Sequence, residues 1–588
     1  MRLAIGTASL SAGVVFLSGL ITTTGVSAQS SAENIRNCAD ENWCSYHRTV
    51  DTAWRYSPLK QITKENVSKL APAWIFLPGE GRMGMQSTPL VMNGMMYVST
   101  TPSTVWALDA KTGERKWSYK PVQDEAVVAR SFFAHTRGLT IGDGRVYIGT
   151  TDGHLVALDE KTGKEIWKVQ LVDSAKVSAG FSGAGTFVNS NLLVIGQNGG
   201  EYPVEGKIFG IDPKTGATRW TFYTTGRGDD AALATWGKDA WKFGGGGSWQ
   251  PGTVDYKNNQ ILIGVGNPNP DYDYCGDKCM DVNADGHRPG TNLYTSSTVA
   301  LDLDTGKVKW YFQEAPSDPF DYDASVGEYV IIDDKVVHPG KNGFMHVHNV
   351  KSGQPLNVYP AMKNQNWTSG FNKETGQWEN VLWPKAGEKT MVCPAIDGGH
   401  SWNAGSYDPN NKLFFRVVNE WCMWLTVSPK EGAAATAGSE ERITEPFAQV
   451  FMAADWRGVA PPNDTMHGRL VAREPVSGKV KWEKRYDVIP HSSLLTTASG
   501  LLFNGTYEGN LEAMDSETGK VLWQFNNGTG HNGGIISYAV DGEQYIAAAV
   551  GHGSYVGRAV VDGYKKDNPK LAGYQESAAL VVYKLPKN

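Results

Sequence analysis

Three short segments of the sequence carry oxygen-bearing side chains that could hold a metal ion and move a proton. Asp318, Asp321 and Asp323 lie close together in EAPSDPFDYDASVG, just after a predicted strand. Carboxylates clustered at a strand end form either a metal and acid–base site or a solvated acidic loop. Glu201 follows two glycines and Asn267 precedes a proline, and both could add oxygen ligands for a hard cation. Their alternative roles are a solvated loop carboxylate and a turn-capping amide.

Two further segments could bind ligands. Trp249 follows a glycine run, which leaves its ring uncovered and makes it a candidate floor for an aromatic cofactor. Its alternative role is packing between strands. The segment DVNADG at 281–286 resembles the start of a calcium loop, but the twelfth position is Asn292, where such a loop carries Glu. This segment therefore remains only a candidate structural ion site.

A repeated pattern indicates the elements that must position these residues. A strand ending in Ala-Leu-Asp, a Thr-Gly turn and a strand ending in Trp recur, strictly or in weaker form, from positions 107, 157, 210, 300, 347, 472 and 513. The basic period is about 50 residues, the length of one four-stranded propeller blade. The turn residues join two antiparallel strands, and the Trp gives each sheet a flat apolar face to bury against its neighbour.

The repeats predict an all-β fold, an eight-bladed β-propeller of four-stranded antiparallel blades with tryptophan docking repeats. Seven copies are visible, and we place the eighth blade between about 355 and 470, where the strand-like segment LFFRVVNEWCMW lies. Pairing of the N-terminal strand LAPAWIF with the last sheet would close the ring and leave few exposed edges. We expect residues 29–588 to form this single propeller domain, with the repeat residues serving as scaffold.

Charge and the N-terminal segment limit the classes of function. The chain of 588 residues carries 55 Lys and Arg against 61 Asp and Glu, a net charge of −6, which argues against a nucleic-acid groove. Residues 1–28 are typical of a cleaved secretory signal, because Arg2 is followed by an apolar stretch and then by small residues before Gln29. The alternative is an uncleaved membrane anchor. We expect a periplasmic protein.

Six cysteines agree with an oxidising compartment. Six cysteines allow fifteen sets of disulfide pairings in principle. In this sequence, however, the cysteines occur as three pairs that are close to each other along the chain. Their spacing does not match a zinc site, and the 588 residues contain no Cys-x-x-Cys-His sequence for covalent haem attachment. The predicted disulfides are Cys38–Cys44, Cys275–Cys279 and Cys393–Cys422.

Several segments, in order along the chain, resemble the quinoprotein alcohol dehydrogenases of the haem-free type, which use pyrroloquinoline quinone (PQQ). They include TAWRYSPLKQITKENVSKLAPAW, GGEY, GGG-x-W, GNP, FDYD and LLTTASGLLFNGTYEGNLEAMDSETGKVLWQF. The resemblance implies an eight-bladed propeller that binds PQQ and a metal ion near its axis. It also implies oxidation of an alcohol to the carbonyl by hydride transfer to metal-bound PQQ, with electrons passed to a separate cytochrome c.

The resemblance also assigns roles to individual residues. Asp321 and Lys341 would be catalytic, with Asp321 as the general base. Asp323 occupies the place where lanthanide-using relatives carry an additional Asp, yet relatives that use calcium or magnesium can show it too. We therefore expect Ca²⁺, with a lanthanide as the alternative. The expected metal ligands are Glu201, Asn267, Asp321 and Asp323. The expected PQQ-binding residues are Gln86, Arg137, Ser182, Gly199, Gly200, Trp249 and Lys341.

Departures from the family pattern concern the pocket for the alcohol. Ser131 and Phe132 stand where many relatives carry adjacent cysteines, and Ser401, His491 and Tyr555 stand where Asn, Trp and Trp are common. These exchanges should enlarge the pocket and make it more polar. We expect a bulky secondary or polyhydroxylated alcohol as substrate, rather than methanol. The alternative is a non-catalytic envelope scaffold, which would keep the repeats but need no carboxylates at the axis.

Overall fold

The computed structural model describes residues 29–79, 83–130, 135–200, 202–237, 240–269, 288–385, 388–426, 458–554 and 576–587, together with positions 557, 563, 564 and 571. The predicted signal peptide, residues 1–28, lies outside these ranges. Eight sheets of at least four strands confirm the predicted eight-bladed propeller. In this part of the chain, no helix has the length and apolar character needed to cross a membrane.

The N-terminal elements and the first four blades follow one another along the chain. Before the first blade lie α1 (Ala32–Arg36), β1 (Tyr56–Ser57), a 3₁₀ turn (Val67–Lys69) and β2 (Ala71–Phe76). Blade one contains β3 (Leu90–Met92), β4 (Met95–Thr100), β5 (Thr104–Asp109) and β6 (Arg115–Tyr119), and α2 (Glu125–Arg130) follows it. Blade two contains β7 (Thr140–Gly142), β8 (Arg145–Gly149), β9 (His154–Asp159) and β10 (Glu165–Gln170). Blade three contains β11 (Thr186–Asn189), β12 (Leu192–Gly196), β13 (Lys207–Ile211) and β14 (Thr218–Tyr223), and two 3₁₀ turns follow (Ala231–Thr235 and Ala240–Phe243). Blade four contains β15 (Thr253–Asp255), a 3₁₀ turn (Tyr256–Asn258), β16 (Gln260–Val265), β17 (Ser297–Asp302) and β18 (Val308–Gln313).

The remaining blades include an insertion and a strand from the N-terminus. Blade five contains β19 (Val330–Ile332), β20 (Lys335–Pro339), β21 (Phe344–Asn349) and β22 (Pro355–Pro360). The small pairs β23 (Gly370–Asn372) with β24 (Gln377–Glu379) and β25 (Lys389–Val392) with β28 (Met423–Thr426) lie outside the blades. Blade six contains β26 (Ser406–Asp408), β27 (Leu413–Glu420), β29 (His467–Arg473) and β30 (Val480–Tyr486). Blade seven contains β31 (Leu495–Thr497), β32 (Leu501–Gly505), β33 (Asn510–Asp515) and β34 (Val521–Asn526), with β1 added in parallel. Blade eight contains β35 (His531–Val540), β36 (Glu543–Val550), β37 (Ala579–Lys584) and β2.

The Asp and Thr-Gly residues of the repeat form the turn between the two outer strands of a blade, as predicted. In blade four, Asp302 Oδ1 accepts hydrogen bonds from the Asp304 and Thr305 backbone N–H groups at 3.2 and 3.0 Å. Gly306 then takes the left-handed conformation with φ of +68°. The side chain of the Asp caps the turn, and a residue without Cβ takes the conformation that a branched residue would resist.

The tryptophans of the repeat connect successive blades. Trp220 of blade three lies over Gly306 of blade four, and its indole N–H donates to the Leu303 carbonyl at 3.0 Å. Seven such aromatic–glycine contacts link one blade to the next. They are Trp74–Gly113, Trp117–Gly163, Trp167–Gly216, Trp220–Gly306, Trp310–Gly353, Tyr359–Gly478 and Trp482–Gly519. Between blades seven and eight, Trp523 packs edge-on against Tyr583, with ring centroids 5.6 Å apart. These contacts complete the ring.

The eighth blade is not where the sequence pattern placed it. The segment beginning at Leu413 pairs with β29 and belongs to blade six, which already carries the repeat near 472. The eighth blade is the closing one, in which Trp74 of β2 pairs with Val582 of β37. Closure by the N-terminal strand is therefore confirmed, and the placement between 355 and 470 was wrong. The closing blade has no outer hairpin, because its two outer strands come from opposite ends of the chain, so it lacks the repeat turn.

Two of the three predicted disulfides are present. Cys38 and Cys44 are joined with a Cα–Cα distance of 5.8 Å, and Cys393 and Cys422 with one of 4.3 Å. The second of these ties the segment after β25 to the start of β28. Cys275 and Cys279 lie outside the described residues, so their pairing remains a prediction.

Candidate active site

A buried lysine joins two of the three clustered aspartates. Lys341, in the turn between β20 and β21, places Nζ 2.9 Å from Asp321 Oδ1 and 2.9 Å from Asp323 Oδ2. All three side chains are buried. Burial alone would lower the pKa of Lys341, but the two carboxylates outweigh it and raise the pKa above that of a free lysine. Lys341 is therefore a permanent cation at this site.

Asp318 shapes the loop that presents Asp321. Its Oδ1 accepts from the Phe320 N–H at 2.9 Å, and its Oδ2 accepts from the Tyr322 N–H at 2.6 Å and the Ser296 hydroxyl at 2.9 Å. Asp321, between these two bonds, has φ of +65°, a region that few residues other than glycine adopt. Burial raises the pKa of Asp318 to about 6. Asp318 thus fixes the backbone around Asp321, and the acidic segment is a built site rather than a solvated loop.

Asn267 and two glycines stand beside this cluster. The Asn267 backbone N–H donates to Asp323 Oδ1 at 2.9 Å. A methyl group at Gly266 would lie 2.3 Å from that same oxygen, and one at Gly200 would lie 2.8 Å from Asn267 Oδ1. The glycines therefore allow the chain to approach the oxygen atoms closely. Glu201, the fourth predicted ligand, lies outside the described residues.

These residues fit a hard metal ion by the chemistry of their donors. Two carboxylates and an amide oxygen are the ligand types that calcium and similar hard cations take. Within the ranges that the structure describes, no three His, Cys, Asp or Glu side chains gather as a metal-binding group. The proposed set therefore depends on Asn267 and on Glu201 in addition to Asp321 and Asp323.

Trp249 and Arg137 form a second part of the site. The Arg137 guanidinium carbon lies 4.4 Å from the centroid of Trp249 and 4.9 Å from that of Trp402. The Arg137 backbone N–H donates to the Ser182 backbone carbonyl at 2.7 Å. The Ser182 hydroxyl is buried and has no hydrogen-bond partner in the described part of the chain. An indole ring can stack on a planar cofactor, and a guanidinium and an unpaired hydroxyl can bind its anionic oxygens. Trp249, Arg137 and Ser182 therefore suit a planar anionic cofactor such as PQQ.

The remaining predicted cofactor residues are buried or close-packed. Gln86 donates from Nε2 to the Met83 carbonyl at 3.0 Å, and its Oε1 lacks a hydrogen-bond partner among the described residues. Gly199 has φ of +97°, and a methyl group there would lie 2.8 Å from the Ser178 carbonyl oxygen. Both residues stay candidates for cofactor contact.

The predicted pocket residues are only partly described. His491 is buried, and burial lowers its pKa to about 4. Its ring centroid lies 5.9 Å from that of Trp402 in an edge-on arrangement, which places it near Arg137. The Ser401 carbonyl accepts a hydrogen bond from Arg416 at 2.5 Å. Ser131, Phe132 and Tyr555 lie outside the described residues and stay predictions.

Three residues near the site had no role in the sequence interpretation. The Arg137 guanidinium carbon lies over the ring of Trp402, and Trp402 follows two glycines in GGHSWN, the same signal that identified Trp249. Asp397 is buried, and burial raises its pKa to about 7 against the lowering effect of Lys341. Asn532 accepts from His491 at 3.0 Å. No sequence pattern singles out Asp397 or Asn532, because their neighbours come from distant parts of the chain.

The chain is similar to known proteins over most of its length. The PQQ family model described as glucose/ethanol/alcohol dehydrogenase, beta-propeller domain, matches residues 43–363 and 361–546. A quinohemoprotein alcohol dehydrogenase, ADH-IIG, of Pseudomonas putida is 32% identical over 580 residues, covering 92% of this chain and 76% of that protein. Subunit 1 of a methanol dehydrogenase [cytochrome c] of Methylobacterium organophilum is 31% identical over 608 residues, covering 93% of this chain and 91% of that protein. The structure of a europium-containing methanol dehydrogenase has a TM-score of 0.82 and 28% identity, covering 94% of this chain and 100% of that one.

Proposed function

This chain belongs to the PQQ-dependent alcohol dehydrogenase family, and we propose that it oxidises a bulky secondary or polyhydroxylated alcohol to the carbonyl compound. The observation that carries the catalytic part of the proposal is the buried Lys341 bridging Asp321 and Asp323, whereas the substrate class is supported by Ser401 and His491 in place of Asn and Trp. A scaffold protein would have no use for two buried carboxylates and a buried ammonium in one place, since burying charge is costly. The scaffold alternative is therefore not favoured.

Each residue of the site has a role in this proposal. Asp321 accepts the proton of the substrate hydroxyl, and Lys341 keeps that carboxylate ionised and oriented. Glu201, Asn267, Asp321 and Asp323 would hold the metal ion. When bound, PQQ would supply a two-electron oxidant for the carbinol carbon, and the metal ion would supply Lewis acidity. Arg137, Ser182, Gly199, Gly200, Gln86, Trp249 and Lys341 would hold the cofactor.

The metal, the electron acceptor and the location complete the proposal. Calcium is the proposed ion, and the lanthanide in a structural neighbour makes a lanthanide the second candidate. A separate cytochrome c is the proposed acceptor, supported by the name of the methanol dehydrogenase relative. The N-terminal segment and the two disulfides support export to the periplasm.

Dye-linked alcohol oxidation tests the proposal. The purified protein would be titrated with PQQ plus calcium or lanthanum and assayed with methanol, ethanol, larger secondary alcohols and polyols. We expect activity that requires PQQ and one metal, with larger alcohols turned over faster than methanol or ethanol. Faster turnover of methanol or ethanol than of the larger alcohols would contradict the hypothesis of an enlarged pocket. Absence of PQQ binding with either metal would favour the non-catalytic scaffold instead.

A matched pair of variants tests the assigned base. Asp321→Asn should lower kcat/KM by at least about 100-fold, because general-base catalysis contributes on that scale. Asp333→Asn is the control, since Asp333 also has a left-handed backbone, with φ of +55°, but lies exposed in the turn between β19 and β20. Equal activity of the two variants would remove Asp321 from the catalytic role.

A further inference from the structure

The segment directly after β25, residues 393–399, contacts both turns that carry the buried ion pair, and we call it the strap. We propose that Tyr322 is a positioning residue, which holds Asp321 in place relative to Lys341 through a hydrogen bond to the strap. This inference rests on the proposed function and deepens it, because it names the group that orients the general base.

Tyr322 lies between the two aspartates that bind Lys341, and its side chain is buried. Its hydroxyl donates to the Pro394 carbonyl of the strap at 2.7 Å, and its backbone N–H donates to Asp318 Oδ2 at 2.6 Å. The preceding residue, Asp321, has the left-handed backbone conformation. A residue other than glycine keeps such a conformation only where its surroundings enforce it. The bonds of Tyr322 and Asp318 are therefore what holds the base in its position.

The strap also contacts the turn that carries Lys341. The Gly399 backbone N–H donates to the Lys341 carbonyl at 2.9 Å. A methyl group at Gly343 would lie 3.5 Å from Pro394 Cδ, so the proline packs against this turn as well. The strap thus joins the two turns whose side chains form the ion pair. Because of this arrangement, the hydrogen bond at Pro394 fixes one turn relative to the other.

An indole ring links the same two turns by packing. Trp367 packs edge-on against Tyr322, with ring centroids 5.8 Å apart, and its N–H donates to the Asn342 carbonyl at 2.8 Å. Trp367 and Tyr322 are both 1% exposed. A phenylalanine in place of Tyr322 would keep this packing, since the ring is unchanged in a close-packed interior. Loss of the hydroxyl alone therefore breaks the link to the strap.

A disulfide anchors the strap at its start. Cys393 is bonded to Cys422, and its backbone N–H donates to Asn366 Oδ1 at 2.7 Å. The next residue is Pro394, whose carbonyl accepts the hydrogen bond from Tyr322. The disulfide and the tyrosine hydroxyl are thus successive parts of one connection, and the loss of either should release Asp321 in the same way.

Tyr322→Phe tests the positioning role, with Tyr538→Phe as the control. Both tyrosines are buried and donate to a backbone carbonyl, and Tyr538 donates to that of Ala110 in the repeat turn of blade one at 2.6 Å. In the PQQ-loaded protein with calcium, we expect Tyr322→Phe to lower kcat roughly tenfold with KM unchanged, because a misplaced base slows the chemistry and not the binding. Tyr538→Phe should keep the wild-type kcat. Equal kcat values in the two variants would overturn the positioning role.

Disulfide variants test whether Tyr322 acts through the strap. Cys393→Ala/Cys422→Ala should lower kcat, whereas Cys38→Ala/Cys44→Ala, which removes the N-terminal disulfide, should not. When Tyr322→Phe is added to Cys393→Ala/Cys422→Ala, the loss of kcat should be smaller than the product of the two separate losses, because both changes release the same segment. A loss equal to that product would show that Tyr322 does not act through the strap.

Hydrogen exchange separates this inference from the proposed function, because it requires no turnover. Mass spectrometry would follow backbone exchange in residues 318–324 and 340–343 of wild-type protein and of the Tyr322→Phe and Tyr538→Phe variants. We expect Tyr322→Phe to accelerate exchange in both segments and Tyr538→Phe to leave both at the wild-type rate. Unchanged exchange in Tyr322→Phe would overturn the positioning role even if the protein oxidises alcohols. Faster exchange would support that role even if no alcohol is oxidised.

Discussion

At the scale of single residues, one ammonium group compensates two buried carboxylates. Lys341 lies 2.9 Å from both Asp321 and Asp323, and all three are buried. Removing one partner of a buried ion pair leaves charge that neither water nor a counter-ion stabilises. The three residues should therefore behave as one unit in both stability and catalysis.

Lys341→Met is the corresponding prediction. In metal-free protein, we expect it to lower the free energy of unfolding by about 3–5 kcal/mol, because two buried carboxylates lose their cation. Urea denaturation measures the change. Lys335→Met is the control, since Lys335 pairs with Asp334 at the exposed turn between β19 and β20, where an ion pair contributes about 0–1 kcal/mol. Similar losses in the two variants would contradict the compensating role of Lys341.

Residue identity was predictable from the sequence where a motif carries it. The residue types and spacing of the acidic segment and Trp249 indicate a site by themselves, and the structure brings Asp321, Asp323 and Asn267 together. The Lys341 bridge was not predicted, because Lys341 lies in blade five and its two partners lie in the segment that joins blades four and five. Asn532 could not be identified, since its unpaired amide is a property of the folded chain and not of its neighbours in sequence.

At the scale of elements, the blades are joined by aromatic rings placed on turns. The turn position of Gly306 leaves no room for a side chain, since a methyl group there would lie 2.5 Å from Trp220 Cε3. The ring of Trp220 is nearly fully buried, so it has no room to move away. One turn residue therefore determines the packing of two blades.

Gly306→Ala tests this packing against Gly94→Ala. Both glycines have left-handed backbones, with φ of +68° and +81°, but a methyl group at Gly94 would meet nothing within 4 Å. We expect Gly94→Ala to cost about 1–2 kcal/mol from the backbone conformation alone. Gly306→Ala should cost a further 1–3 kcal/mol or so from the contact with Trp220. Urea denaturation measures the free energy of unfolding of both variants. An equal loss in the two would show that the close contact between Trp220 and position 306 does not contribute to stability.

The repeated turns and strands could be predicted from the sequence, but the position of the eighth, closing blade could not. Five of the seven repeat turns are capped by an Asp side chain, because each has the same task of joining two antiparallel strands, and Asn349 and Glu474 cap the other two. The long stretch between the fifth and sixth repeats looked like a hidden blade, yet part of it forms the small pairs β23–β24 and β25–β28. Strand propensity alone does not tell which sheet a strand such as β27 joins.

At the scale of the whole molecule, buried histidines dominate the response to acid. Nine of the twelve histidines have pKa values lowered mainly by burial, including His348 and His491 to about 4 and His531 to about 3. The other six are His47, His135, His338, His346, His400 and His552. Each is neutral in the folded protein at a pH where the unfolded chain would bind a proton.

The sign of the resulting pH dependence follows from these shifts. Below the ordinary histidine pKa of 6.5 the unfolded chain takes up protons that the folded one does not, so stability is lost as the pH falls toward 4. Buried Asp318, Asp397 and Glu314 have pKa values raised to about 6, 7 and 8, so their contribution is lost as the pH rises through those values. The histidines outnumber these carboxylates in the acid range.

We therefore expect maximal stability of the metal-free protein near pH 6.5. The free energy of unfolding should fall by several kcal/mol between pH 6.5 and pH 4.5, and more gently above pH 7. Urea denaturation at a series of pH values measures this dependence, and calorimetry in buffers of different ionisation enthalpy counts the protons taken up. A stability maximum at pH 4 to 5 would show that the histidines are not buried as described.

The closing blade sets the order in which the molecule can be completed. Strand β2 precedes its partner β37 in the chain by the length of the other seven blades, so it is synthesised long before that partner. Until residue 584 is available, the earlier blades can stack on one another while β2 waits with an unused edge. The chain is synthesised in one direction, but the ring closes only when an early strand pairs with a late one. The closing blade is therefore the last to be completed.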